Sequence, residues 1–415
     1  MYPFLRGFLR KCKSIAGTPR RMLVIHDSTS KKKHIVNTKK HKVRNAIKIG
    51  FIVQMPEVWD KEAPVFEALL EDKRFEVCMI IVPHYNFSKS CLEKYGEEQR
   101  YFEGKYPKVT AILLKDENDM PIDDSFDYIF YQRCWEHYLP PQLRCKNVIQ
   151  HAITCYIPYC YHESPESTKY YQKKFFWYLN KFYCCSKDQY EQVKQIKGVE
   201  CNYFGYPAID TIQYMNSSHD SINILWTPRW TDDPEFGGTS FNRNRNRIFD
   251  LFKLSPDIRL TLRPHPLTFE NAIKQGWMMP SDVNDYKEKV NKMGAALDNN
   301  KLIEETFQST DVLITDFSSA IITFFLSGRP IIYCADYGFP LTDTFQNIMN
   351  SIYIAKDWAD IYRITQDLIN GKDPLYGKRQ EVIKHIELRA SSVDDIINDL
   401  VITVNGDADL TDQKY

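Results

Sequence analysis

Three short segments in the second half of the chain carry residue types that suit phosphate chemistry. Residues 311–319 read Asp-Val-Leu-Ile-Thr-Asp-Phe-Ser-Ser. An apolar run that reads as a strand stops at Thr315, and Asp316, Ser318 and Ser319 follow where a helix should begin. Serine hydroxyls and the free N–H groups of a first helical turn form a cradle for phosphate oxygens. The same serines serve equally well as plain helix caps. Leu262-Arg263-Pro264-His265-Pro266 also follows an apolar run. Its prolines fix the backbone and would hold Arg263 and His265 in set directions. Arginine presents paired donors to phosphate, and histidine donates a hydrogen bond or a proton. Taken alone, the segment reads more readily as a rigid turn with a solvent-facing histidine. The third segment is Trp226-Thr227-Pro228-Arg229-Trp230-Thr231, where Thr227, Arg229 and Thr231 would reach a phosphate if the turn is more than a strand end. Three polar turns, each closing a strand of one domain, are harder to assign to chance than any one of them.

The first half offers less. Gln150-His151-Ala152 reads as the sequel to a short strand, Asn147–Gln150, and His151 could serve as a base that activates an acceptor hydroxyl. A lone histidine is more often structural. The aromatic cluster from Tyr156 to Trp177 could stack on an acceptor but suits a core better. Asp123-Asp124 and Asp232-Asp233 lack further clustered ligands, so no metal site is expected. No phosphate-binding Gly-Lys loop or dinucleotide fingerprint occurs, so no cofactor is expected either. Asn242–Arg247 (NRNRNR) reads as a charged, solvated helix start, with no nucleic-acid partner implied.

These residues need a scaffold, and the pattern supplies one. Apolar, β-branched runs at Ala46–Val53, Phe75–Val82, Val109–Leu114, Tyr128–Tyr131, Phe182–Cys185 and Val199–Phe204 alternate with helical spacing. A second series runs Ile222–Trp226, Ile258–Leu262, Asp311–Thr315 and Pro330–Tyr333, with Gly328 as a helix C-cap. Strands alternating with helices predict parallel sheets covered on both faces. At 415 residues the chain is too long for one ordinary core. The expected division is a basic arm over 1–45, a Rossmann-like domain over 46–206, a polar linker over 207–221, a second Rossmann-like domain over 222–374, and C-terminal helices and tail over 375–415. The helical pattern from Tyr376 to Val401 breaks at Ser391-Ser392.

Charge is balanced overall, with 54 basic and 54 acidic side chains, but not locally. Residues 1–48 hold 14 Lys and Arg against one acid, Asp27, a surplus of 13 positive charges. Phe4, Leu5, Phe8 and Leu9 lie among the first of these cations, a mixture that suits a short helix lying in an anionic membrane surface. A solvated tail is the alternative. No apolar stretch approaches the roughly 18 residues that a membrane span needs, and no secretory leader pattern is present. The odd count of 11 cysteines, without zinc spacing, fits reduced thiols of a cytoplasmic protein.

Ile224-Leu225-Trp226-Thr227-Pro228, Arg263-Pro264-His265-Pro266 and Asp311 through Ser319 resemble, in order and spacing, the catalytic domain of the CDP-glycerol glycerophosphotransferases, the teichoic-acid and capsule polymer transferases of bacteria. The resemblance spans about residues 220–335. It implies an α/β protein of the GT-B fold, two Rossmann-like domains whose parallel sheets face a central cleft. It implies a metal-independent transfer of glycerol phosphate, or a related polyol-phosphate or sugar unit, from a CDP- or other nucleotide-diphosphate-linked donor to a polymer or lipid-linked acceptor. The site would be cytoplasmic, peripheral on the inner face of the cell membrane. By motif, His265 would contact the donor pyrophosphate, Ser318 and Ser319 would hold phosphate, and Asp316 would orient their loop; Arg263, Thr227 and Arg229 join the donor-phosphate candidates from the turns themselves. His151 would match a first-domain His-Gly base, but Ala152 replaces the glycine and the lysine expected soon after is missing. Thr323 stands where the family usually has aspartate. A sugar-nucleotide epimerase of the same fold, and a non-catalytic assembly protein, are the rival expectations.

Overall fold

The computed structural model describes residues 27–405, apart from 87–88, 90, 115, 160–163, 165–170, 172, 197, 211–220, 234–237, 335–339 and 387–391. Two compact units emerge. The first takes Met1–Tyr159, Thr168–Thr211 and Leu388–Tyr415, and the second takes Cys160–Ser167 and Ile212–Glu387. Most of the expected linker, 211–220, lies outside the described residues. Pro207–Asp210 forms a helical turn that packs on helix Ala63–Glu71 of the first unit.

The first unit is built on a seven-stranded parallel sheet. Its spatial order is Thr110–Leu113, Phe75–Ile81, Ile47–Val53, Tyr128–Tyr131, Ile153–Tyr156, Lys181–Cys184 and Glu200–Tyr203. Register follows from the apolar runs: Ile49 pairs with Val77 on one side and Tyr128 on the other. Because both faces are covered, the strands are apolar without alternation. Phe51 stacks on Phe130 at 4.7 Å, and Trp59, Phe66 and Phe102 close around them. At Gly50 an added Cβ would meet Ile129 Cδ1 at 2.8 Å, so glycine lets the neighbouring strand's side chain sit across it.

The basic stretch does not stay an arm throughout. From residue 27, where description begins, it is helical to residue 40. Ser28, Lys32, Ile35 and Lys39, three or four apart, are buried on one face. Lys39 Nζ donates to the Asp124 carbonyl (2.9 Å), and Lys42 and Arg44 pair with the fully buried Asp127. The first unit therefore takes up part of the basic stretch internally. Phe4, Leu5, Phe8 and Leu9 lie outside the described residues.

The chain's last helix, Ser392–Asn405, also belongs to the first unit. Ile396, Leu400, Val401 and Val404 are buried in that unit's core. Its Asp399 holds the buried Lys181 ammonium at 3.0 Å and accepts a 2.7 Å bond from Tyr183 Oη. The expected C-terminal segment thus divides, because helix Tyr376–His385 lies in the second unit.

The second unit has a six-stranded parallel sheet in the order Ala296–Leu297, Ile258–Leu262, Ile222–Thr227, Val312–Thr315, Ile331–Tyr333 and Tyr353–Ile354. Counted in chain order within the unit, this is 3-2-1-4-5-6, the doubly wound Rossmann order. The first unit has the same order with one strand added. Gly328 ends helix Ala320–Phe325 and the turn after it at φ 73°, and its carbonyl accepts a 3.0 Å bond from the fully buried Arg379.

Candidate functional site

In a doubly wound sheet, ligands bind outside the carboxyl ends of the strands where the strand order reverses. In the second unit that point lies between Ile222–Thr227 and Val312–Thr315, which pair through Thr227 and Thr315. Ile258–Leu262 flanks the first of these on its other side. The three polar turns singled out in the sequence therefore end three adjacent strands.

Hydrogen bonds stitch the turns together. Thr227 Oγ1 donates to Thr315 Oγ1 at 2.7 Å. His265 N donates to the Pro228 carbonyl at 3.1 Å, tying the second turn to the third. Asp316, 1% exposed, accepts three bonds on one oxygen: from Arg229 N (2.9 Å), Ser240 N (2.8 Å) and Thr239 Oγ1 (3.1 Å). Burial pushes its carboxyl above the ordinary range, while the bonds from Ser240, Arg229 and Thr239 pull it back. The Arg229 guanidinium donates to the Phe317 carbonyl, on the turn that leads into Ser318. Asp316 and Arg229 thus lock the loop that presents the serines.

His265 is fixed more tightly than its exposure suggests. Its Nδ1 accepts the Leu267 N–H at 3.1 Å, which leaves Nε2 to carry the proton of the neutral ring. Partial desolvation of the ring, and then the Arg229 charge, hold its pKa down to about 4. At neutral pH it is an uncharged N–H donor beside a guanidinium. Ser319, at the start of helix Ala320–Phe325, makes no side-chain capping bond. Neither serine hydroxyl bonds to another described residue, and both side chains are half-buried. The simple capping role is thus not the one they play.

Two expected site residues are placed elsewhere. The Arg263 guanidinium forms an ion pair with Asp298 (2.5 Å) and donates to the carbonyls of Asn300 (2.8 Å) and Lys301 (3.0 Å). It braces that loop and is not offered to a phosphate. His151 precedes a strand instead of following one. Residues 145–148 form a helical turn, and the strand is Ile153–Tyr156. His151 therefore sits at the amino edge of the first sheet, where its Nδ1 meets Asp124 at 2.8 Å. The strand-end argument for a base role is lost with that placement.

The sequence reading passed over Thr239 and Ser240. Gly238, at φ 60°, followed by Thr-Ser before Phe241–Asn244 is a turn-to-helix signal that would have flagged them. Asp298 carried no local signal. Among the described residues, no three His, Cys, Asp or Glu side chains gather as a metal-ligand set.

Comparison with known proteins places this site in context. Residues 185–339 match the family described as CDP-Glycerol:Poly(glycerophosphate) glycerophosphotransferase. That stretch includes all three turns, so the resemblance drawn from their motifs is borne out. No curated protein sequence matches the chain. Among solved structures, a variant of the wall teichoic acid polymerase TagF aligns with a TM-score of 0.55 at 16% identity, over 96% of this chain and 97% of that one. The UDP-GlcNAc 2-epimerase of Neisseria meningitidis, bound to UDP-GlcNAc, aligns with a TM-score of 0.56 at 11% identity, over 86% and 100%. MnaA of S. aureus, in complex with UDP, gives 0.54 at 14%, over 87% and 97%. These likenesses show the fold, a GT-B-like pair of Rossmann-like units.

Proposed function

We propose, with residues 185–339 placed in the glycerophosphotransferase family, that this chain transfers a glycerol-phosphate or related polyol-phosphate or sugar unit from a CDP- or other nucleotide-diphosphate-linked donor to a polymer acceptor at the inner membrane face. The observation that carries this is the neutral, oriented His265 beside Arg229, on the turn next to the unbonded hydroxyls of Ser318 and Ser319. In the transfer, an acceptor hydroxyl oxygen attacks the phosphorus that bears the glycerol. A new P–O bond forms, the hydroxyl proton passes to solvent water, the bond to the bridging pyrophosphate oxygen breaks, and CMP leaves with the electron pair. His265 Nε2–H and Arg229 donate to the oxygens that gain negative charge. Ser318 and Ser319 hold the same phosphates through hydroxyl and N–H groups. Asp316 keeps the loop in register without touching the donor.

The membrane role in this reading falls to residues 1–26, with their cations and apolar anchors. No helix among the described residues is long and apolar enough to cross a bilayer. The test supplies CDP-glycerol and a glycerol-phosphate polymer primer and follows CMP release and primer growth. Growth that stops with His265→Ala supports the reading. Conversion of a UDP-sugar to its epimer without any acceptor, and no growth, would replace it with the epimerase alternative.

A further inference from the structure

The first unit has its own strand-order reversal, between Ile47–Val53 and Tyr128–Tyr131. The residues just past those carboxyl ends are Gln54, Met55, Gln132 and Arg133. Gln132 Oε1 accepts from Gln54 N (2.9 Å) and Met55 N (2.8 Å), and its Nε2 donates back to the Met55 carbonyl (2.8 Å). Gln54, 6% exposed, reaches on from this clasp. Its Nε2 donates to the carbonyls of Pro83 (3.2 Å) and Tyr138 (2.9 Å), and its Oε1 accepts from Arg133 Nη2 (2.7 Å). Three strand-end turns are thereby gathered around one guanidinium.

That guanidinium has no carboxylate partner among the described residues. Among the described residues Nη1 donates only to the Met55 sulfur, a weak acceptor, and Nε has no acceptor. Tyr138 covers one face at 4.7 Å, and His84 Nε2 lies 3.5 Å from Nη2. A half-buried arginine left this under-satisfied is costly unless an anion completes it. The surroundings favour one. His84 and His137 are held below the ordinary imidazole range by burial and then by Arg133. Beside His137 a cavity of about 260 Å³ is lined by Trp135, Glu136, His137, Lys173 and Lys174 among others, and the Glu136 carboxylate is engaged by Cys145 N. The acids that face His84 are Glu93, Glu98 and Glu57, and Glu57 also faces Arg133 from the exposed side of the Pro56–Lys61 turn.

We infer that Arg133 and His84 form a second anion site, which binds a phosphate group of the acceptor. The reading of that group as the acceptor's rests on the transferase function proposed above, while the anion site stands on the geometry of the first unit alone. A phosphate oxygen would take the Nη1 donor that now meets only the Met55 sulfur, and His84 would add a second donor as its ring gains a proton. A polymer of repeating phosphodiesters would extend past His137 toward Lys173 and Lys174.

The test follows His84 by NMR in the full chain labelled at histidine, without nucleotide, during titration with inorganic phosphate and with glycerol 3-phosphate. The His84 signal should move and its pKa should rise toward the ordinary value as phosphate binds. Arg133→Gln should weaken binding about tenfold or more, the usual result of losing a charged donor, and Arg133→Lys should keep part of it. Should Arg133→Gln fail to fold, His84→Gln leaves the Gln54 clasp intact and should still weaken binding. Unaltered binding in either folded variant, or a His84 signal that ignores phosphate, overturns the site. Tighter binding of glycerol 3-phosphate than of inorganic phosphate supports the acceptor assignment, and equal binding overturns it. Because no donor is present, failure of transfer assays leaves these results standing.

Discussion

The two units share one strand order and differ in what they hang on it. In the second unit the reversal point carries a buried carboxylate, Asp316, that organises backbone N–H groups and leaves a neutral imidazole and two hydroxyls facing out. In the first, the same point carries a glutamine clasp that leaves an arginine with no ion-paired carboxylate among the described residues. Topology decides where a ligand goes, and loop residues decide what it is. On the function proposed above, the second unit would stabilise charge that develops on a leaving phosphate. The first, on the anion site inferred above, would hold charge that is already there.

The sharpest way to separate the units is through their cores. Leu400→Ala, on helix Ser392–Asn405, should cost roughly 2–5 kcal/mol by opening a cavity in the first unit, while nucleotide binding in the second unit persists at temperatures where the first has unfolded. Calorimetry with and without CDP reads both. Equal loss of both units' transitions would mean they do not fold as described. Next, His265→Ala should lower transfer about 100-fold or more, roughly 3 kcal/mol of transition-state stabilisation, and shift melting little because the residue is exposed. Near-parental turnover would remove His265 from the chemistry.

Smaller effects distinguish neighbours within the second unit. Arg263→Ala should cost about 1–2 kcal/mol of stability, since its partner Asp298 is buried, yet leave donor affinity close to the parent's. Arg229→Ala should do more to affinity than Arg263→Ala does, and the reverse ranking would restore Arg263 to the phosphate site. Donor affinity should also stay level as pH falls from neutral to about 5, because His265 stays neutral until near 4. The sign matters here: a charged ring would bind phosphate better, so affinity rising through about 6.5 would show an ordinary histidine.

Much of this was legible in the residues. Tyr128–Tyr131 and Ile258–Leu262 were read to the residue, because buried parallel strands are long apolar runs between polar turns. The second-unit turns stood out because proline and serine clusters are local signals. Asn147–Gln150 misled because its short apolar run fits a helical turn as well as a strand, and that slip moved His151 to the wrong edge of the sheet. Ala296–Leu297 and Tyr353–Ile354 are too short for any periodicity to show. The Arg263–Asp298 pair spans 35 positions, and the unpaired state of Arg133 is a property of everything around it. Neither leaves a mark in local sequence.

The return of helix Ser392–Asn405 to the first unit has a consequence for how the protein is made. The second unit is encoded almost without interruption, so it can close while the ribosome is still translating. The first unit's strands are made before the second unit, but its Leu400 packing and its Lys181–Asp399 pair wait on residues that are made after it. Domains usually mature in the order of synthesis. Here the half that emerges first is completed last, and its sheet must wait, partly uncovered, through the birth of its neighbour.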